Sequence, residues 1–362
     1  MFHNDRIKNA IFIFTLLLLL GNVTIATVSA DAQNFSIVVL PDTQHYSERY
    51  PGIFTNQTQW IVDNQDRLNI KFVIHVGDIV EDADNDTQWM RANKSMSVLD
   101  GKIPYGILPG NHDENVTEYE KYFPAMRYKN YSYWGGSHAN NTCNYQLFSA
   151  LGTDFIVVNL RWTLGSDDIR WANGILSNHS DRKAILVTHG YLNKYGIRNV
   201  HGLGDTTCIW NELIAPNANI FLVLCGHAHG ESRRTDVVDG RAVHQLLANY
   251  QERPNGGNGW LRILEFSKNE TETSNLVIVV KTYSPYLNKY ETDANSEFEL
   301  EEKPMPMHPD LIDILPWNVG RVLKKVIETI NRLIKHIYLP LTPSNFTTNS
   351  STFLCHFQNS SS

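Results

Sequence analysis

The stretch Ile103-Pro104-Tyr105-Gly106-Ile107-Leu108-Pro109-Gly110-Asn111-His112-Asp113 decides the reading of this chain. An apolar run, Ile103 to Leu108, reads as a short buried strand and stops at a glycine. An amide, an imidazole and a carboxylate follow in consecutive positions. Residues in such a place lie at the carboxyl edge of a sheet, which is where open α/β sheets bind ligands. Standing alone, Gly-Asn-His-Asp is no more than a turn.

The pattern recurs. Pro41-Asp42-Thr43-Gln44-His45 follows the apolar run Phe35 to Leu40, and Gly77-Asp78-Ile79-Val80-Glu81-Asp82 follows Phe72 to Val76. Thr188-His189-Gly190 closes Ala184 to Thr188, and Gly226-His227-Ala228-His229 comes just after Ile220 to Leu224. Two carboxylates, an amide and three histidines converging from separate strand ends would leave a costly polar cluster unless a cation satisfied them.

Between these ends the chain alternates strand-like and helix-like segments, the pattern of a layered α/β domain. Helices are predicted over Phe54 to Leu68 and Gln88 to Leu99, and a further strand over Phe155 to Leu160. The late strands Ala242 to Leu247, Leu261 to Phe266 and Leu276 to Thr282 read as a meander forming a second, mixed sheet.

The order and spacing of the five segments resemble the calcineurin-like metallophosphoesterase family, from about Phe35 to Thr282. The resemblance implies a four-layer α/β/β/α sandwich of two mixed sheets packed face to face with helices outside. It also implies a phosphoric ester hydrolase with two divalent metal ions (Mn, Zn, Fe or Mg), in which a hydroxide held on the metals attacks phosphorus. By position, Asp42, Gln44, Asp78 and His229 would serve one metal. Asp78, Asn111, His189 and His227 would serve the other, with Asp78 bridging. His112 would face the phosphate, stabilising the transition state or protonating the leaving oxygen. Glu81 would orient His112, with Asp82 or Asp113 as substitutes. The alternative is an inactive member that binds a phosphorylated ligand or a protein partner.

Two departures from the family pattern are informative. The first motif carries Gln44 where the family has histidine, and His45 stands one residue late. If the segment is extended, adjacent side chains point to opposite sides and His45 does not replace it. The Gln44 amide oxygen then shifts the site toward oxygen ligands and hard cations. The second departure is Glu81, where purple acid phosphatases carry an iron-ligating tyrosine, so a colourless enzyme is expected. Two substrate-binding candidates complete the site. Arg161 follows a strand end, and its guanidinium suits phosphate. Tyr250, with Gln251, is placed to line the mouth.

Composition bounds the rest. A chain of 362 residues, 42% of them hydrophobic, can bury a large core. A formal net charge of −7 offers no basic surface for gripping nucleic acid, leaving a phosphate-ester small molecule as the expected partner. Residues 1–30 read as a signal peptide: Arg6 and Lys8, the apolar run Ile11 to Leu20, then Val28-Ser29-Ala30. That run is short of the roughly 18–20 residues a membrane span needs. Asn-x-Ser/Thr sequons from Asn34 to Asn359 predict a secreted, N-glycosylated protein. Cys143, Cys208, Cys225 and Cys355 allow three complete pairings.

The catalytic domain is expected over residues 31–300, with a Pro-containing linker and an amphipathic helix over 301–340. Val319, Val322, Leu323, Val326, Ile330 and Ile337 fall at helical spacing there, with Lys324, Lys325, Arg332 and Lys335 mostly on other faces. Such a helix docks on the catalytic core, or alternatively on a partner or an anionic membrane surface. Residues 341–362, rich in Ser, Thr and Asn, read as a disordered glycosylated tail.

Overall fold

The computed structural model describes residues 34–198, 206–268 and 276–302. The predicted signal peptide, the C-terminal amphipathic helix and the tail lie outside the described residues, as does Cys355.

The chain begins with β1 (Asn34–Leu40), α1 (Gln44–Arg49), α2 (Pro51–Asp63) and β2 (Ile70–His75). There follow α3 (Asp86–Met96), β3 (Tyr105–Gly106), α4 (Val116–Tyr122) and the strands β4 (Trp134–His138), β5 (Cys143–Ala150) and β6 (Thr153–Leu160). Next come α5 (Ser166–Asn178), β7 (Lys183–Thr188), a π-helical turn at Ile209–Ile214, β8 (Ile220–Cys225), β9 (Gly230–Val238) and β10 (Arg241–Asn249). The remaining strands are β11 (Leu261–Lys268), β12 (Leu276–Ser284), β13 (Lys289–Glu291) and β14 (Glu297–Glu301).

Two mixed sheets result. The first runs β13-β12-β11-β1-β2-β3, with β14 also on β12; the second runs β4-β5-β6-β7-β8-β10-β9. Parallel pairs run along one edge of the first sheet, β1 with β2 and β2 with β3, and through the centre of the second, β6 with β7, β7 with β8 and β8 with β10. Their carboxyl ends therefore gather on one side of the molecule.

Side-chain alternation explains the layering. Along β1, Phe35, Ile37 and Val39 enter a core with Phe155, Val157, Ile185, Val187 and Leu222 of the other sheet. Val38 and Leu40 turn the other way, against Phe54 and Ile61 of α2 and Trp89 of α3. In the second sheet Ile156, Val158 and Leu186 pack outward on Ile169 and Leu176 of α5. Strands such as β1, β7 and β8 are covered on both faces and so read as unbroken apolar runs, whereas β12 and β14 toward the edge of the first sheet alternate. The four-layer α/β/β/α arrangement is thus present.

Four expectations need correction. The segment after β1 is not extended: α1 starts at Gln44, and α2 runs from Pro51 because proline is pre-set for a first helical turn. The late strands do not form a sheet of their own. β11 pairs antiparallel with β1, while β10 joins β8 in the second sheet. The predicted strand Ile103 to Leu108 pairs only at Tyr105 and Gly106. Cys143 and Cys225 are buried free thiols and Cys208 is disulfide-bonded, so no complete pairing of all four forms. Among the described residues no helix is long and apolar enough to cross a membrane.

Candidate metal centre

Several of the five segments leave their strands through turns that only a few residue types can make. A Cβ on Gly110 would lie 2.1 Å from Asp78 Oδ1, and one on Gly226 would lie 2.1 Å from Asp42 Oδ1. These two glycines are therefore required by the close approach of backbone to carboxylate. Asp78 (φ 49°) and His227 (φ 66°) adopt left-handed backbone, which is costly for non-glycine residues and is found where side chains are aimed at a site.

The turns bring four predicted ligands together. His189 Nε2 lies 3.1 Å from Asp78 Oδ1 and 3.0 Å from Asn111 Oδ1, and His227 Nδ1 lies 2.8 Å from the same Asn111 oxygen. The ligand atoms of Asp78, His189 and His227 all fall within 4.8 Å of one another. His189 Nδ1 donates to the Val76 carbonyl at 2.9 Å, which turns Nε2 toward the oxygens. Burial works against a charged His189, yet the charge and hydrogen bond of Asp78 outweigh it and raise the imidazole to about 9. Burial likewise opposes an ionised Asp78, but His189 and His112 hold its carboxyl below the ordinary value. An imidazole nitrogen facing two oxygens is satisfied only by a proton or a cation.

Asp42 and Gln44 sit beside this group with acceptors to spare. Asp42 Oδ2 accepts from His227 N at 3.0 Å and from Asn249 Nδ2 at 2.8 Å, whereas the buried Oδ1 has no partner. Burial pushes the Asp42 carboxyl up to about 8, with His189 opposing and Asp78 adding to the rise. Gln44 donates from Nε2 to Glu81 Oε2 at 2.9 Å, leaving its buried Oε1 unpartnered. Orphaned acceptors of this kind, next to imidazoles and a second carboxylate, fit divalent cations. His229 stands apart: Nδ1 lies 2.6 Å from Glu252 Oε1 and Nε2 lies 2.7 Å from Gln251 Nε2.

His112 is placed between the ligands and solvent. Its backbone N–H donates to Asp78 Oδ1 at 3.0 Å, and Nδ1 lies 3.0 Å from the Glu81 carbonyl and 3.7 Å from the Glu81 carboxylate. Glu81 thus meets His112 chiefly through its main chain, its carboxylate being taken by Gln44. Burial lowers the His112 imidazole, but Asp78 and the Glu81 carbonyl outweigh that and raise it. His45, on helical rather than extended backbone, lies 3.3 Å from Glu48 and 3.5 Å from Glu81 and does not take the place of Gln44. Asp113 is not a substitute for Glu81: its carboxylate accepts the backbone N–H groups of Ile79, Val80 and Gly110, tying two of the turns together.

Both substrate-binding candidates are engaged by partners within the protein. Arg161 gives Nε and Nη2 to Asp168 Oδ2 at 3.1 and 2.8 Å, because that buried carboxylate at the start of α5 needs a cationic partner. Tyr250 is buried with its hydroxyl donating to Glu231 at 2.7 Å, so it belongs to the packing between sheets. Two residues went unassigned. Asn249 positions Asp42 and also donates to the His227 carbonyl at 2.9 Å; its place at a strand end after an apolar run is the same signal that marked the five segments. Trp162 lies with its ring centroid 4.5 Å from that of His227 and 5.5 Å from that of His189. Gly190 makes room for it, since a Cβ there would meet Trp162 at 2.2 Å. Nothing in the sequence around Trp162 announces this contact.

Fold and site together describe a candidate metal centre at the strand ends of a four-layer α/β/β/α sandwich. The calcineurin-like phosphoesterase family model matches residues 35–231, and the chain belongs to that family. An uncharacterized protein of Bacillus subtilis (strain 168), YvnB, is 43% identical over 285 residues, which are 74% of this chain. The chain spans only 21% of that relative's length. Among solved structures, the purple acid phosphatase PPD1 from yellow lupin (Lupinus luteus) seeds is 12% identical, with a TM-score of 0.48 over 74% of this chain and 54% of its own. GAP50 of Plasmodium, the anchor in the inner membrane complex, is 14% identical, with a TM-score of 0.48 over 75% of this chain and 90% of its own.

Proposed function

We propose that this chain hydrolyses the phosphate ester of a small molecule at a dinuclear centre of divalent cations. The observation that carries the reading is the convergence of His189 Nε2 and His227 Nδ1 on the Asn111 amide oxygen beside Asp78. Asp78, Asn111, His189 and His227 would hold one cation, and Asp42, Gln44, Asp78 and His229 the other. Bound there, the two ions would offset charge on the phosphoryl oxygens and bring water into a reactive protonation range.

The chain's own residues supply the remaining chemistry. With Nδ1 directed at the Glu81 carbonyl, His112 keeps Nε2 for the substrate, and the neighbouring Asp78 and Glu81 shift its imidazole toward the protonated form despite its burial. That proton stabilises charge on the phosphate or passes to the departing alkoxide. Trp162 covers one side of His227 and limits water on that flank.

The same reading places the protein outside the cell, N-glycosylated, with residues 1–30 as its signal peptide, 31–300 as the catalytic domain and the C-terminal segment as an appended helix and tail. The sequons support it, and so does a disulfide at Cys208. Replacing His112 by Ala tests the catalytic reading: turnover of an activated phosphodiester falls roughly 100-fold or more while metal content stays at the wild-type level. Unchanged turnover removes His112 from the chemistry. A metal-loaded wild-type protein that binds such esters without cleaving them would instead favour the binding alternative.

A further inference from the structure

Gln251 lies at the turn between β10 and β11, outside every motif that marks the centre. It is 9% exposed, and its Oε1 is buried with no hydrogen-bond partner. Two more acceptors share that condition nearby, Asp42 Oδ1 and Gln44 Oε1. Gln251 and Asp42 are linked through Asn249. Asn249 accepts the Gln251 backbone N–H on Oδ1 at 2.9 Å and donates from Nδ2 to Asp42 Oδ2 at 2.8 Å. The loop that carries Gln251 packs on α1, where a Cβ on Gly256 would lie 2.8 Å from His45 Cβ.

The contact with His229 gives the direction. A carboxylate only accepts, so the 2.6 Å contact to Glu252 places the His229 proton on Nδ1 and leaves a lone pair on Nε2. The Gln251 amide donates into that lone pair at 2.7 Å. Gln251 therefore stands where His229 would meet a cation, with its own acceptor idle beside it. Exchanging the two ends of the amide presents Oε1 to the same point, and releases the lone pair of His229. A carboxylate–histidine pair behind a ligand nitrogen is also the usual support for a metal-bound imidazole.

We propose that Gln251 is a ligand of the first cation through Oε1, making that position an oxygen-rich site with Asp42, Gln44 and Asp78, suited to a hard divalent ion such as Mn²⁺ or Mg²⁺. The inference rests on the dinuclear reading above. It differs from the four-residue assignment by adding a neutral oxygen donor from a loop that no motif marks.

Calorimetric titration of the metal-stripped full chain with Mn²⁺ tests it. Wild-type protein takes up two ions; Gln251→Leu keeps one site at wild-type affinity and weakens the other at least tenfold; Gln251→Glu, which restores an oxygen, binds both. Thermal unfolding of each stripped variant reports that the fold is intact. Two sites of wild-type affinity in Gln251→Leu, or equal loss in Gln251→Leu and Gln251→Glu, overturns the assignment of Gln251 alone. Wild-type protein that takes up fewer than two ions overturns the dinuclear reading and the inference with it.

Discussion

Arg262 on β11 of the first sheet donates from Nη2 to Glu231 Oε1 on β9 of the second at 2.9 Å, and the two side chains are 2% and 6% exposed. Tyr250, Thr282 and Ser296 also donate to this carboxylate. The pair ties the sheets together two residues beyond His229. A buried charge that loses its partner is strongly destabilising, whereas removing both charges is much cheaper. Glu231→Ala is therefore expected to lower unfolding free energy by about 3–5 kcal/mol, and the double variant Glu231→Leu/Arg262→Met by much less, in urea titrations. Acid sensitivity follows from the same carboxylate. Burial opposes its ionised form, but Arg262 and the surrounding donors hold its pKa below the ordinary 4.5. A depressed folded-state pKa contributes stability that is present above the ordinary value and is lost as pH falls through the folded one. Glu231→Gln should thus show a shallower loss of stability below about pH 4.5 than the wild type.

Asn249 holds Asp42 from behind while its own side chain is anchored by the Gln251 backbone N–H. Residues that orient a metal ligand are typically worth 10–100-fold in metal affinity or activity. Asn249→Ala should lose roughly that much Mn²⁺ affinity at one site, and Asn249→Asp more, because it sets a second carboxylate against Asp42. Titration of the stripped variants measures both. Wild-type affinity in Asn249→Ala would show that Asp42 needs no such support.

Gly190 and Trp162 form a size-matched pair beside His189. A methyl at Gly190 would meet the indole at 2.2 Å, so Gly190→Ala is expected to destabilise by about 1–3 kcal/mol. Adding Trp162→Ala to Gly190→Ala removes the clash and should recover part of the loss in thermal unfolding. Additive destabilisation in the double variant would mean that the two side chains do not compete for space.

Much of this arrangement is legible in the sequence because close packing leaves few options at the strand ends. Gly110 and Gly226 precede their ligands since no side chain fits against Asp78 and Asp42, and the apolar runs before them are unbroken since both sheet faces are covered. Asn111, His189, His227 and Asp78 could accordingly be placed together in advance. What was missed depends on tertiary contacts rather than on local pattern. Gln44 opens a short helix whose N-cap, Thr43, makes no side-chain capping bond because its hydroxyl meets His75, so the helical placement of His45 has no local mark. Arg161 is claimed by Asp168, seven residues later and around a turn. Tyr250 alternates inward from Asn249, and one position of register separates a residue in the packing from one at the centre. The late strands were readable as strands but not as members of two different sheets, because sheet membership is set by partners far away in sequence.

The central claim, that Asp78, Asn111, His189 and His227 hold a cation on which hydrolysis depends, is tested most directly by removing and restoring metal. Chelator-stripped protein is expected to hydrolyse an activated phosphodiester at no more than a hundredth of the native rate, on the order expected for loss of a catalytic metal. Activity should return with stoichiometric Mn²⁺ in the wild type and fail to return in Asn111→Ala. Stripped protein, verified metal-free by mass spectrometry, that cleaves the ester at the native rate would contradict the account.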